Sequence, residues 1–426
     1  MATSQTKGRC HCQSQSCRKF SVMPVTTDLT PSNLCSACGG DTPKGSFCIR
    51  CGEELNRRYH GLDGLRAFAM LLGIALHGSI PYFSYLLEFD DLWPADGDQS
   101  WLLFFVFHFI HAWRMPVFFM LAGFFANLVL SRRGMRYFFK DRGLRIGLPL
   151  MSFAPVIAIL MPLIWSYGLT GQFTESTGFK SEIHSEFLAH LWFLYYLCLL
   201  YPCLIAIRVM HTYLPYRDLI KRVFLSVLYT RIPVILFIVA CFLFAIREQS
   251  GEAKPIWPLN VPDITYLALF FFYGYGLYSK RILINQFQNP ILLGALLGTA
   301  LFGYVANIAS LAVLDTEPST KAEMLYLVSY TALNIGCCLG FIGLFETLFK
   351  SYHPITRWIA DSSYWVYLMH MPVVAFTTFF LARNLVAPAE IKFLIACFVT
   401  SALSFVTYKY IILTTPIGWM LAGKRT

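Results

Sequence analysis

Two residues in one apolar stretch set the chemical question. Arg66 and His77 lie eleven positions apart. At about 100° per residue that is three helical turns plus roughly 20°, so both side chains fall on one face, about 16 Å apart along the axis. In the next apolar stretch His108, His111 and Arg114 recur at i, i+3 and i+6, and Met115-Pro116 follows as a kink signal. His190 and Trp192 open a later stretch, and Tyr364, Tyr367 and His370 share another. Ionisable groups inside a membrane are costly and mark functional sites. Imidazoles exchange protons near neutral pH and guanidiniums hold anions, so several helices carrying them imply a polar crevice through a bundle. The plainer readings are snorkelling for Arg66 and a packing hydrogen bond for His77.

Arg142-Gly-Leu-Arg145 places two guanidiniums at i, i+3 where a third helix is expected to start. Next to a helix N-terminus that pair would make an anion site. The alternative is ordinary cytoplasmic positive charge.

A different chemistry is written near the N-terminus. Cys35-x2-Cys38 and Cys48-x2-Cys51 form two knuckles, with Gly39 and Gly52 supplying the tight turns. Four thiolates suit tetrahedral Zn²⁺, and so short a segment would fold only around the metal. Such a Cys₄ site is structural, which points to docking of a cytoplasmic protein partner or to regulation. Two disulfides are the alternative, and they require an oxidising compartment. Cys10, His11, Cys12 and Cys17 match no standard site, and residues 13–33 read as linker.

The elements that must position these residues follow from composition. The 426 residues are 56% hydrophobic and only 14% charged, well below the charged fraction of a soluble domain. A spanning helix needs about 20 mostly apolar residues. About ten such stretches are present, at 62–87, 101–129, 144–168, 188–208, 231–247, 263–279, 289–314, 324–349, 363–382 and 391–414. Their continuous apolar character excludes the alternation of a barrel. The expected fold is therefore all-α and polytopic, with residues 1–32 a polar tail, 33–55 a zinc ribbon and 59–420 the membrane domain.

Cations gather in the even-numbered connections, as at Arg132, Arg133, Arg136 and Lys140. Glu88, Asp90, Asp91, Asp96 and Asp98 crowd the first. The positive-inside rule then places both termini in the cytoplasm. The net charge of +10 is accounted for by that bias, with no nucleic-acid partner implied. Residues 1–58 lack the apolar core of a signal peptide, and no internal repeat is visible.

Several ordered motifs resemble the acyltransferase-3 membrane proteins across residues 59–420. They are Leu62-Asp-Gly-Leu-Arg66 with His77, the Arg114-Met-Pro block through Gly123, Arg142-x-x-Arg145 with Pro149, His190-Leu-Trp-Phe-Leu, and Ser363-Tyr-Trp-Val-Tyr-Leu-Met-His370. The wording of the second and fourth blocks is closest to the periplasmic-glucan succinyltransferase branch. Ala122 departs from the Ser common before the Gly of the second block, and the ribbon lies outside the family pattern.

The resemblance implies a multi-pass enzyme of the cytoplasmic (inner) membrane. It would transfer an acyl group, succinyl or acetyl, from cytoplasmic acyl-CoA to a hydroxyl of an extracytoplasmic carbohydrate. Arg142 and Arg145 would meet the coenzyme phosphates. His77 would act as general base or as a transient acyl carrier, with Arg66 orienting the chain of contacts or holding the coenzyme. Arg114 and His111 would stabilise the oxyanion. His190, Trp192 and His370 would contact the sugar. A glycan exporter is the rival from another class, and a sensor with the ribbon as output is a third.

Overall fold

The computed structural model describes residues 58–84, 86, 93–173, 188–213, 232–249, 260–316, 319–415, 418 and 421. The ribbon cysteines Cys35, Cys38, Cys48 and Cys51 lie outside the described residues, as do Glu88, Asp90 and Asp91. Among the described residues every regular element is helical: α1 (His60–Ser79), α2 (Trp101–Arg142), α3 (Leu148–Thr170), α4 (Trp192–Tyr213), α5 (Ile232–Gln249), α6 (Val261–Ser279), α7 (Ile282–Phe287), α8 (Pro290–Thr316), α9 (Thr320–Leu348), α10 (Pro354–Asn384) and α11 (Ala389–Tyr410). Each of the ten apolar stretches overlaps a helix among the described residues, the first outrunning α1, which ends at Ser79. Among the described residues seven helical runs are long and apolar enough to cross a bilayer. One of these, Trp101–Thr170, spans 70 residues and contains two of the expected stretches. The short helices α5 and α6 fall outside that group.

Local chemistry explains where helices start. Ser100, Asn260 and Ser319 each accept a hydrogen bond from the backbone N–H three residues on, satisfying donors that a helix start leaves open. The start of α1 is closed from a distance: Glu346 Oε1 of α9 accepts from Leu62 N at 3.0 Å. Gly61 is required beside it, because a Cβ there would run into the backbone at Glu346.

The helix α1 sits at the centre, packed against α2, α9, α10 and α11. By contrast α8 and α11 present Ile291, Phe302, Leu394 and Phe398 outward, as lipid-facing helices do. Close backbone contact joins α2 to α6, where Gly123 lies on the Phe271 carbonyl and Gly274 on the Met120 carbonyl. Small residues allow that approach in a membrane.

The Arg142–Arg145 segment differs from the expected helix start. The chain passes from α2 through a π-helical turn, Gly143–Gly147, directly into α3. The amide of Gly143 bonds Lys140 and Phe139 carbonyls, and that of Leu148 bonds Gly143. Amides already held within a continuous helix cannot form an N-terminal anion site. The actual break lies earlier, at Gly134, whose φ of 76° only glycine adopts readily.

Candidate active site

Three imidazoles meet inside the bundle. His77 comes from α1, His370 from α10, and His190 from the single 3₁₀ turn Ala189–Leu191 that leads into α4. Ring centroids are 5.3 Å apart for His77 and His370, and 5.0 Å for His190 and His370. The backbone carrying His190 is strained, with Ala189 held at φ 40°. His370 is 1% exposed and His190 7%.

Arg114 of α2 joins them. Its guanidinium lies against Gly73, one turn before His77, where a Cβ would stand 2.9 Å from Nη1. Arg114 is 6% exposed, and its Nε and Nη1 are buried without a hydrogen-bond partner. A buried guanidinium with open donors is costly unless something binds there.

Prolines explain how two of these groups are aimed. Proline lacks an N–H and leaves the carbonyl four residues earlier without its helical donor. In α10 Pro372 releases the Leu368 carbonyl, and His190 Nε2 takes it at 3.2 Å. A carbonyl only accepts, so Nε2 of His190 carries the proton and its Nδ1 is the lone-pair nitrogen. By the same reasoning His370 Nδ1 donates to the Tyr367 carbonyl at 2.7 Å, leaving Nε2 as the lone pair. Neither lone-pair nitrogen has a partner, nor does His77 Nδ1. Tyr367 completes the frame by donating its hydroxyl to the His190 carbonyl at 2.7 Å. The assembly offers proton acceptors beside a cation, the groups needed to deprotonate a nucleophile and hold a developing oxyanion.

A wall closes one side. Trp93 stacks on His77 with centroids 6.3 Å apart and planes 11° from parallel. The connection carrying it is pinned by a buried ion pair, Lys392 Nζ to both Asp96 oxygens at 2.7 Å. Asp98 Oδ2 accepts from Ala389 N at 2.6 Å, and Ser100 bonds Glu390.

The other expected site residues distribute unevenly. His370 does not lie near the start of its helix, as its place in 363–382 suggests. The helix begins at Pro354, which puts His370 mid-helix and level with His77. His190 is buried in the cluster rather than set at an outer mouth. Trp192 packs on Phe119 and Tyr196. The ring of His111 stacks on Phe107 with centroids 5.2 Å apart, and the side chain is exposed. His108 contacts Phe104 and Tyr304 rather than the histidines.

Arg66 stays three turns from His77, donating to the Ala360 carbonyl at 3.1 Å and lying 3.6 Å from Asp63. Arg142 and Arg145 share Asp141, at 3.6 and 3.1 Å. A ladder on α10 connects that segment to the histidines. Tyr364 bonds the Arg145 carbonyl, stacks on Tyr367 at 6.3 Å, and Tyr367 leads to His370 at 6.0 Å.

Sequence reasoning missed Gly73 and Trp93. Only the repeated pattern of a cationic or titratable residue two before proline, Arg114-Met-Pro116 and His370-Met-Pro372, could have flagged both kinks at once.

Comparison with known proteins identifies the family. The acyltransferase domain family matches residues 59–409. Glucans biosynthesis protein C of Salmonella gallinarum is 23% identical over 383 residues, 86% of this chain and 95% of that protein. The proteins of the same name in Salmonella paratyphi B and Salmonella choleraesuis are 22% identical over 382 residues, with the same shares covered. No solved structure matches. The chain belongs to the acyltransferase-3 family, a membrane acyltransferase moving groups other than aminoacyl groups.

Proposed function

We propose that this enzyme transfers a succinyl or acetyl group from cytoplasmic acyl-CoA to a hydroxyl of an extracytoplasmic glucan or related envelope carbohydrate. The observation that carries the reading is the meeting of three imidazoles, each with an unpartnered buried nitrogen, beside the unpartnered Arg114. The glucan assignment leans on the relatives' name.

In this reading the chain crosses the inner membrane ten times with both termini cytoplasmic. Arg142 and Arg145 hold the coenzyme phosphates. The pantetheine arm follows the Tyr364–Tyr367–His370 face of α10, whose six-residue span covers about 9 Å. Arg114 Nη1 receives the thioester oxygen, with His111 further out.

As the sugar oxygen attacks the acyl carbon, His77 takes its proton. The C–S bond then breaks, and the proton passes from His77 to the departing thiolate. His370 Nε2 and His190 Nδ1 accept hydrogen bonds and so favour the protonated His77. Arg66 anchors the start of α1, while Trp192 supports the wall behind the sugar. The four cysteines at 35, 38, 48 and 51 hold Zn²⁺ in a cytoplasmic ribbon that docks a protein partner.

The test uses purified full-length protein with acetyl-CoA or succinyl-CoA and a short glucan, following free thiol release. His77→Ala should lower transfer by about 10²–10⁴-fold, the range for a lost general base, while the protein still inserts. Undiminished transfer in that variant would remove His77 from the chemistry.

A further inference from the structure

Behind the aromatic wall beside His77 lies a cavity of mixed polar and apolar lining that the mechanism above does not use. Its volume is about 360 Å³, and Pro94, Asp96, Gly168, Leu169, Phe379 and Arg383 contribute to its lining. It lies where the first connection meets the ends of α3 and α10. The size falls within the range of small-ligand sites, about 300–1,000 Å³.

The wall nearest the reaction centre is aromatic. Phe379 touches Trp93 and Trp165, with centroids 6.3 and 5.4 Å away, and Trp93 is the ring stacked on His77. Two rings in series, Phe379 of the wall and the Trp93 indole behind it, therefore stand between the cavity and the candidate base. The Trp93 Nε1–H is buried with no hydrogen-bond partner. A buried donor without an acceptor is rare and expects an oxygen to arrive.

The rest of the lining suits a pyranose. Such a ring has an apolar C–H face and a rim of hydroxyls. Phe379, Pro94 and Leu169 offer the matching apolar surface. Arg383 offers a fork of five donors, of which one goes to the Gly168 carbonyl at 2.8 Å. Its guanidinium is held over the Tyr167 ring at 5.9 Å. The opposite wall is held in place by the buried Asp96–Lys392 pair. A site with pre-positioned walls loses less entropy on binding.

The geometry points to this cavity as the seat of one hexose unit of the acceptor glycan, with Phe379 and Trp93 as the partition between that sugar and His77. This rests on the acyltransfer reading above, and it adds where the acceptor binds and what selects it. Among the described lining residues Arg383 is the one cation, too few for a coenzyme's phosphates, so the donor is not assigned to the cavity.

Three variants of the full chain test it. Leu169→Trp fills the cavity from a half-exposed position and should raise the KM for a short glucan at least tenfold. Arg383→Gln should raise it severalfold. Trp93→Ala should shift turnover from transfer toward hydrolysis of acyl-CoA at least fivefold, because water then reaches the thioester. Glucan binding read by tryptophan fluorescence supplies a measure independent of turnover. It should saturate in wild type and weaken at least tenfold in Leu169→Trp.

An unmoved KM in Leu169→Trp, a loss of kcat with KM unchanged, or glucan binding unaffected by the filled cavity would each overturn the assignment. Those results can coexist with normal wild-type transfer, which leaves the acyltransfer reading standing. Absence of thiol release from wild type, with saturable glucan binding that Leu169→Trp weakens, would instead remove the transfer chemistry and retain the sugar site.

Discussion

Prolines interrupt the hydrogen bonding of α2 and α10 within triplets that share Met-Pro and differ in the residue before them. Arg114-Met-Pro116 and His370-Met-Pro372 each place a site residue two positions before a proline, and each proline releases a carbonyl. In α2 the freed Ala112 carbonyl is taken by Asn334 Nδ2 at 3.0 Å, and the same amide bonds the Tyr266 hydroxyl at 2.7 Å. In α10 the freed Leu368 carbonyl is taken by His190. One kink is sealed with an amide that cannot titrate and lies away from the chemistry. The other is sealed with an imidazole whose second nitrogen faces the site. Closing a helix defect and setting a tautomer are thus one contact in α10 and separate tasks in α2.

Stability and activity should therefore respond differently at the two kinks. Asn334→Ala leaves a carbonyl and a hydroxyl without this donor in the core, and at about 1–3 kcal/mol for each buried group the loss is about 2–6 kcal/mol. Thermal unfolding in detergent should show it, while transfer measured well below the transition changes little. Adding Pro116→Ala restores a backbone donor and should recover about 1 kcal/mol or more, a coupling that a double-mutant cycle reads.

His190→Ala should lower transfer by about 100-fold, within the range for a lost acid–base group, and cost about 1–3 kcal/mol for the orphaned carbonyl. Pro372→Ala on that background supplies Leu368 with an amide. The melting temperature should recover and the transfer should not. Recovery of both would reduce His190 to a helix cap and erase the distinction between the kinks.

A smaller effect is expected from Gly73→Ala. The added methyl would stand 2.9 Å from Arg114 Nη1, so the guanidinium must shift by a few tenths of an ångström or more. Misplacing a group that meets the reacting atoms can cost as much as about 100-fold for a 1 Å shift. A fall in kcat of about tenfold is the expected outcome, with thermal stability within about 1 kcal/mol because alanine favours a helix over glycine. Unchanged kcat would show that Arg114 has room to move and that its contact with α1 does not set its aim.

Apolar runs made the helices readable in the sequence, and spacing made Arg66, His77 and Arg114 readable as candidates. The depth of His370 was not readable because the first turns of α10 are polar. Arg357 there bonds Asp361 at 2.8 Å and reaches Asp63 of α1 at 3.5 Å, so a hydropathy pattern starts the helix late. Trp93 was invisible for a different reason. It sits in a polar connection, and its position depends on a lysine 296 residues away from Asp96. The continuous helix at Arg142–Arg145 escaped because a π-turn has no compositional signature. What local pattern could reveal was which residues carry chemistry; which of them meet was decided by contacts between distant segments.

The arginine segment sharpens the same contrast between open and occupied groups. Arg114 has open donors in a closed interior, whereas Arg142 and Arg145 already share Asp141 and Arg142 also lies over the rings of Phe138 and Tyr201, at 5.6 and 5.5 Å. Their guanidiniums are held in place yet partly exposed, as suits a contact with a soluble phosphate rather than with a reacting atom. Arg145→Ala should accordingly raise the KM for acyl-CoA by about three- to tenfold, near 1 kcal/mol for one partly solvated charge contact, and leave kcat at saturating donor within twofold. The wild-type donor KM should also climb with added salt, and less steeply in the variant, because screening weakens an exposed phosphate contact that the variant no longer makes. A fall in kcat with the donor KM unmoved would place Arg145 with Arg114 in the chemistry and dissolve the division between the two groups.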